Sequence, residues 1–249
     1  MIVVSSHVDL DGDGGTMRVH LHMPGGTADT RRFPSLLLYS EIYQQTEPIQ
    51  RSALRFASHG YLVAVPEVFH CHEPPGTVLG YDTEGTEKGN RYKYETPLAT
   101  FESDARRALD LLRDHPRSTG ALGSVGFCLG GHLAFRAALQ PDVRATACFY
   151  PTDIHADTLG AGKTSDSRAR AKEITGELLM IFGRQDPHVP LEGRREIQRV
   201  LSEANLTFSW HEVNAVHAFM RDIGPRYDPA LAALGYQLAL EMFDRVLKG

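Results

Sequence analysis

Three residue types in this chain are placed where together they could do covalent chemistry. The run Ser124-Val125-Gly126-Phe127-Cys128-Leu129-Gly130-Gly131-His132 reads as a strand, a sharp turn and a helix start, with a thiol at the apex. Gly-x-Cys-x-Gly is the cysteine version of a nucleophile elbow. Glycines on either side let strand and helix approach closely enough to hold Cys128 in a strained backbone conformation. The positive end of the following helix favours thiolate over thiol. Such a nucleophile needs a base, and the base needs an orienting partner. Two later loops supply those types, Gly183-Arg184-Gln185-Asp186-Pro187-His188-Val189-Pro190 and Asn214-Ala215-Val216-His217-Ala218-Phe219. His217 would take the thiol proton and later protonate the leaving group or activate water. Asp186 would hold the other ring nitrogen and stabilise the charged imidazole. Taken singly, each has a plainer reading: a free cysteine packs as a small apolar residue, a loop histidine satisfies its neighbours, and Asp before Pro makes a turn or cap. Agreement of type, order and placement after strands outweighs those readings and points to an enzyme.

The elements that must position these residues alternate. Val3–Leu10 and Met17–Met23 read as strands joined by the turn Asp11-Gly12-Asp13-Gly14-Gly15. Ser35–Tyr39 is a short apolar run typical of a strand covered on both faces. Pro48–Ser58 reads as a helix closed by Gly60, and Tyr61–Val65 as the next strand. The stretch from Pro66 to Tyr94, rich in Gly, Pro, His and charge, reads as a long functional or mobile connection. In Thr100–Asp114, Phe101, Ala105, Ala108, Leu109 and Leu112 fall at helical spacing. Gly123–Phe127, Ala145–Tyr150, Leu178–Phe182 and Leu206–Val213 are further strands. Gly131–Leu139, Leu191–Glu203 and Leu231–Lys248 are helices, and the polar Ala156–Ile174 reads as an insertion. Alternation of this kind predicts one α/β domain over residues 1–249, with a mostly parallel central sheet and helices on both faces. Reactive loops then leave the carboxyl ends of the strands.

Composition excludes other classes. The chain has 249 residues, 42% hydrophobic and 23% charged, with a formal charge of −5. That balance offers no basic stripe for nucleic acid and no polybasic membrane anchor. No apolar run suits a membrane span, and the N-terminus has no signal-peptide pattern. The three cysteines, Cys71, Cys128 and Cys148, form no disulfide framework, so a reducing, cytoplasmic setting is expected. His70-Cys71-His72 has metal-ligand types but no clear third ligand, and reads as pocket wall or exposed loop. Cys148, in an apolar strand, reads as structural.

The order Cys128, Asp186, His217 is the nucleophile–acid–histidine order of α/β-hydrolases. Over nearly its whole length the chain resembles the dienelactone hydrolase family of that fold. The resemblance rests on Gly126-Phe127-Cys128-Leu129-Gly130-Gly131, Gly183-Arg184-Gln185-Asp186-Pro187, His217-Ala218-Phe219 and Glu41-Ile42-Tyr43. It implies a single α/β-hydrolase domain without a large cap. It also implies that a glutamate, here Glu41, contacts the resting cysteine and helps activate it when substrate arrives. The N–H groups of Ile42 and Leu129 match the family's oxyanion hole. A substrate carboxylate would be gripped by Arg221 and Tyr92, with Lys88 or Arg91 as a further cation. The expected reaction is hydrolysis of an ester or lactone, such as a carboxylate-bearing dienelactone, through a thioester acyl-enzyme. The alternatives are a broader esterase on aryl or phosphate esters, or a non-catalytic binding or sensor protein. No cofactor or metal is required. The expected partner is a small-molecule substrate, with the protein a monomer or small homo-oligomer.

Overall fold

Leu36 and Leu38 pack on one side of a strand while Leu37 and Tyr39 pack on the other, all of them buried. The period-2 alternation of a strand delivers apolar side chains to both faces, and only a sheet covered by helices on both sides can bury them. The computed structural model describes residues 2–26 and 30–249 and contains such a sheet. Its strands are β1 (Val3–Gly12), β2 (Gly15–Pro24), β3 (Phe33–Tyr39), β4 (Leu62–Pro66), β5 (Ser118–Phe127), β6 (Val143–Phe149), β7 (Glu177–Gly183) and β8 (Phe208–Val213). They lie in the order β1-β2-β4-β3-β5-β6-β7-β8. The β1–β2 hairpin and the β2–β4 pair are antiparallel, and the remaining pairs are parallel.

The helices are α1 (Glu47–Ser58), α2 (Thr83–Glu95), α3 (Leu98–Asp114), α4 (Leu129–Ala137), α5 (Ser167–Arg170), α6 (Leu191–Glu203) and α7 (Pro229–Leu247). Helices α1 and α7 cover one face of the sheet through Phe56, Ala57, Tyr236 and Phe243. Helices α3, α4 and α6 cover the other through Leu109, Leu112, Leu133, Ile197 and Leu201. The polar segment before β7 forms only α5 and two short 3-10 turns.

The long connection expected from Pro66 to Tyr94 is corrected at its second half, which is helix α2. Asp82 caps it by accepting from the Gly85 N–H at 2.8 Å. The helix escaped apolar-periodicity reasoning because its buried residues are Gly85, Gly89, Tyr92 and Lys93, of which only Tyr92 is a large hydrophobic side chain. Among the described residues no helix is long and apolar enough to cross a membrane.

Candidate active site

Four of the expected residues follow parallel strands at their carboxyl ends: Glu41 after β3, Cys128 after β5, Asp186 after β7 and His217 after β8. Parallel pairing sends every one of these loops to the same end of the sheet, so residues far apart in sequence converge. Cys128 has φ 59° and ψ −120°. A non-glycine residue there is strained by about 1–3 kcal/mol, so the surroundings must impose the turn. They do so through close backbone contact. A Cβ on Gly126 would lie 1.9 Å from the Gly130 carbonyl oxygen. One on Gly130 would lie 2.3 Å from that of Ser40 and 2.4 Å from that of Tyr39. The Cys128 N–H donates to the Phe149 carbonyl at 3.0 Å, tying the apex to β6.

His217 Nδ1 donates to Asp186 Oδ2 at 2.7 Å, and both side chains are buried. Asp186 Oδ1 accepts the His188 N–H at 2.8 Å, which fixes the carboxylate plane. Burial works against charge on Asp186, but the His217 hydrogen bond and charge outweigh it and hold the carboxyl below the usual range. Burial likewise opposes a charged His217. The neighbouring Cys128 sulfur and the Asp186 hydrogen bond overcome this and raise the imidazole well above its ordinary value. The His188 ring stands edge-on to His217, with centroids 4.6 Å apart. The other carboxylates near His217 in sequence are engaged elsewhere: Asp222 takes Arg51 at 2.5 and 2.7 Å, and Asp228 caps α7.

Cys128, His217, Glu41, Ile42 and Arg221 line one cavity of about 920 Å³. Glu41 is buried. Its Oε2 accepts from the Tyr81 hydroxyl at 3.3 Å and lies 3.6 Å from Arg221 Nη1. Desolvation pushes its carboxyl up, only partly offset by the charges of Arg221 and His217. The Arg221 guanidinium rests on the Tyr81 ring, 4.4 Å from its centroid. Leu129 opens α4, so its N–H has no acceptor within the helix, and Ile42 lies in the turn after β3.

Three expected contacts are corrected. Tyr92 does not line the cavity: its hydroxyl donates to Glu73 Oε1 at 2.7 Å and its ring stacks on His72 at 4.5 Å. Lys88 pairs with Glu84 at 3.0 Å and Arg91 with Glu95 at 3.8 Å, both along the helix and outside the cavity lining. The helical turn of α2 is the cause, for it presents Thr83, Glu87, Asn90 and Tyr94 to the cavity and turns Lys88 and Tyr92 away. The His70-Cys71-His72 run is absent from the cavity lining as well. His70 meets buried Asp104 at 2.7 Å, Cys71 Sγ donates to the Asp13 carbonyl at 3.0 Å, and His72 meets Thr96 Oγ1 at 3.0 Å. Cys148 is fully buried, which pushes its thiol far above the ordinary range.

The sequence reading missed several lining residues. Lys93 Nζ donates to Asp153 Oδ2 at 2.9 Å, and the same carboxylate accepts from Tyr94, Thr152 and Thr158. Tyr81, His188 and Arg226 line the cavity as well. The Asp82-x-x-Gly85 cap was the available signal, because a helix starting there places residues 83, 87, 90 and 94 on one face.

The chain is similar to known proteins over nearly its whole length. The model of the dienelactone hydrolase family matches residues 22–247. A Saccharomyces cerevisiae protein, provisionally named carboxymethylenebutenolidase, is 40% identical over 243 residues, covering 94% of this chain and 89% of that one. A solved structure from Klebsiella pneumoniae subsp. pneumoniae, provisionally named a dienelactone hydrolase, superposes with TM-score 0.83 at 21% identity. It is covered over 100% of its length, and this chain over 98%. A metagenomic dienelactone hydrolase-like promiscuous phosphotriesterase, P91, superposes with TM-score 0.77 at 19% identity, over 98% of each chain. With the family match spanning nearly the whole chain and the sheet built in the α/β-hydrolase manner, this chain is a hydrolase of the dienelactone hydrolase family.

Proposed function

We propose that the chain hydrolyses an ester or lactone through Cys128. The observation that carries this reading is the alignment of a strained cysteine at the head of α4 with a buried His217–Asp186 pair at 2.7 Å. His217 takes the thiol proton, and Cys128 sulfur attacks the carbonyl carbon. The oxyanion forms against the N–H groups of Ile42 and Leu129. As the tetrahedral adduct collapses, the bond to the leaving oxygen breaks and His217 returns its proton to that oxygen. A water, deprotonated by His217, then attacks the thioester, and the acid leaves with the thiol restored.

Glu41 and Arg221 supply the control. In the resting site the Glu41 carboxylate occupies the Arg221 cation at 3.6 Å. A carboxylate-bearing lactone that takes Arg221 frees Glu41 to help draw the proton from Cys128. The anion then rests on Arg221 without Tyr92, Lys88 or Arg91.

A second reading, a broader esterase accepting aryl or phosphate esters, draws on the pairing of cations in the cavity. Lys93 is held by Asp153 at 2.9 Å and Arg221 by Glu41, so two of the three lining cations are neutralised and Arg226 is the one without an ion pair among the described residues. The activity named for P91 is of this kind.

The test is trapping of the acyl-enzyme with an activated aryl ester, followed by peptide mass spectrometry. The adduct is expected on Cys128, with hydrolysis abolished in Cys128→Ala. Cys71 is partly exposed, so the comparison with Cys128→Ala is what assigns the label. Full turnover in Cys128→Ala would overturn the covalent mechanism.

A further inference from the structure

The wall that faces Cys128 is one side of helix α2, and its chemistry differs from that of a carboxylate clamp. A Cβ on Gly89 would lie 2.4 Å from the Ile42 carbonyl oxygen and 2.9 Å from the Ile42 Cβ. Only glycine lets α2 seat directly on the turn that carries the proposed oxyanion donor, so the helix face borders the reacting carbonyl. On that face Thr86 is already engaged, its Oγ1 2.9 Å from the Tyr43 hydroxyl. Lys93, further along, is taken by Asp153. The side chains of Glu87 and Asn90 also line the cavity, yet neither makes a hydrogen bond or ion pair among the described residues.

Residues three apart on a helix are surface neighbours, their Cβ atoms about 5–6 Å apart. Glu87 therefore offers a carboxylate acceptor beside the Asn90 amide, which both donates and accepts. Adjacent hydroxyl groups on one ligand match that combination, each hydroxyl being donor and acceptor at once. A carboxylate at the same place would meet Glu87 as a like charge. A cavity of about 920 Å³ leaves room beside the acyl group for such a ligand.

We infer that this α2 face is a subsite for the uncharged, hydroxyl-bearing portion of the substrate, with Glu87 and Asn90 as specificity-determining residues. The ligand class is a monoester of a polyol. This rests on the ester hydrolysis proposed above, in either of its substrate ranges. The Glu87 carboxylate accepts from one hydroxyl while the Asn90 amide bonds to its neighbour, and together they hold the ester over Cys128.

The experiment compares kcat/KM for three esters: glycerol monobutyrate, ethyl butyrate and monoethyl succinate. The first two share an acyl group and differ in the hydroxyls of the alcohol. The parent is expected to prefer glycerol monobutyrate over ethyl butyrate by about tenfold or more. Glu87→Ala and Asn90→Ala should each cut that preference by about tenfold, and Glu87→Ala should also improve monoethyl succinate relative to ethyl butyrate. Lys88→Ala, on the same helix but outside the cavity lining, should leave the preference in place. No preference in the parent, or equal losses on both butyrates in the variants, would overturn the subsite while Cys128-dependent hydrolysis of ethyl butyrate stood. Hydrolysis that survives Cys128→Ala would instead overturn the reaction on which it rests.

Discussion

At the scale of single residues, the site depends on groups whose charge is set by burial and by their partners. Asp186 accepts from His217 and from the His188 N–H, so it fixes both the tautomer and the orientation of the proposed base. Asp186→Asn keeps the shape but presents an amide to the ring. Turnover is expected to fall by about 10²–10⁴-fold, measured as kcat on an aryl ester. Unchanged kcat would mean that another group orients His217. Glu41 titrates in the opposite sense, since burial raises its carboxyl above the ordinary value of 4.5. Between that ordinary value and the raised native one, the folded state holds more protons than the unfolded state. Stability is therefore full below the ordinary value and falls as pH rises through the interval. Glu41→Gln removes this loss. Its melting temperature relative to the parent is expected to climb as pH rises above the ordinary value, as read by thermal scans across pH. A constant difference would show that the native carboxyl is not raised. The same carboxylate is a site for control in the proposed reaction, which explains why a group that costs stability at neutral pH sits there.

At the scale of elements, helix α2 decides what the cavity presents. It is tied by the buried Tyr92 ring, which packs on Phe69 and His72, and by polar contacts. Among the polar contacts is the pair Lys93–Asp153, whose side chains are 8% and 12% exposed. Asp153 sits at φ 66°, on the loop that follows β6, and its neighbour Thr152 donates its N–H to the Cys128 carbonyl at 3.3 Å. The ion pair thus links the roof of the cavity to the elbow beneath it. Removing one partner of a buried pair costs about 3–5 kcal/mol. Asp153 would keep its three hydroxyl donors, so Lys93→Met is expected to lose about 3 kcal/mol in urea unfolding, near the lower end. A loss under about 1 kcal/mol, the size of an exposed pair, would mean that α2 is held by its other contacts.

At the scale of the whole molecule, one eight-stranded sheet runs through the chain, from the hairpin at one edge to β8 at the other. Trp210, the single tryptophan, lies on β8 with its ring centroid 4.6 Å from that of Phe182. If residues 1–249 unfold as one unit, tryptophan emission at the β8 edge and far-UV circular dichroism should share a midpoint in denaturant. Separate midpoints would divide the chain into more than one cooperative unit. The amino-acid sequence by itself determined the alternation of strands and helices, because apolar period and glycine turns are local signals. It likewise determined the elbow, since Gly126, Cys128 and Gly130 are spaced for a turn whose strain is settled within a few residues. Asp186 and His217 were legible because parallel strands send their loops to one end. Tertiary structure alone decided which charges face the cavity. Lys88, Arg91 and Lys93 are alike as sequence, yet the pitch of α2 sends only Lys93 inward. Its partner Asp153 is 60 residues away, and nothing local specifies that meeting. The same holds for Glu41 and Arg221, brought together by the loops after β3 and β8. Pairing across such distances depends on burial and packing, which a run of residues does not encode until the sheet has closed around it.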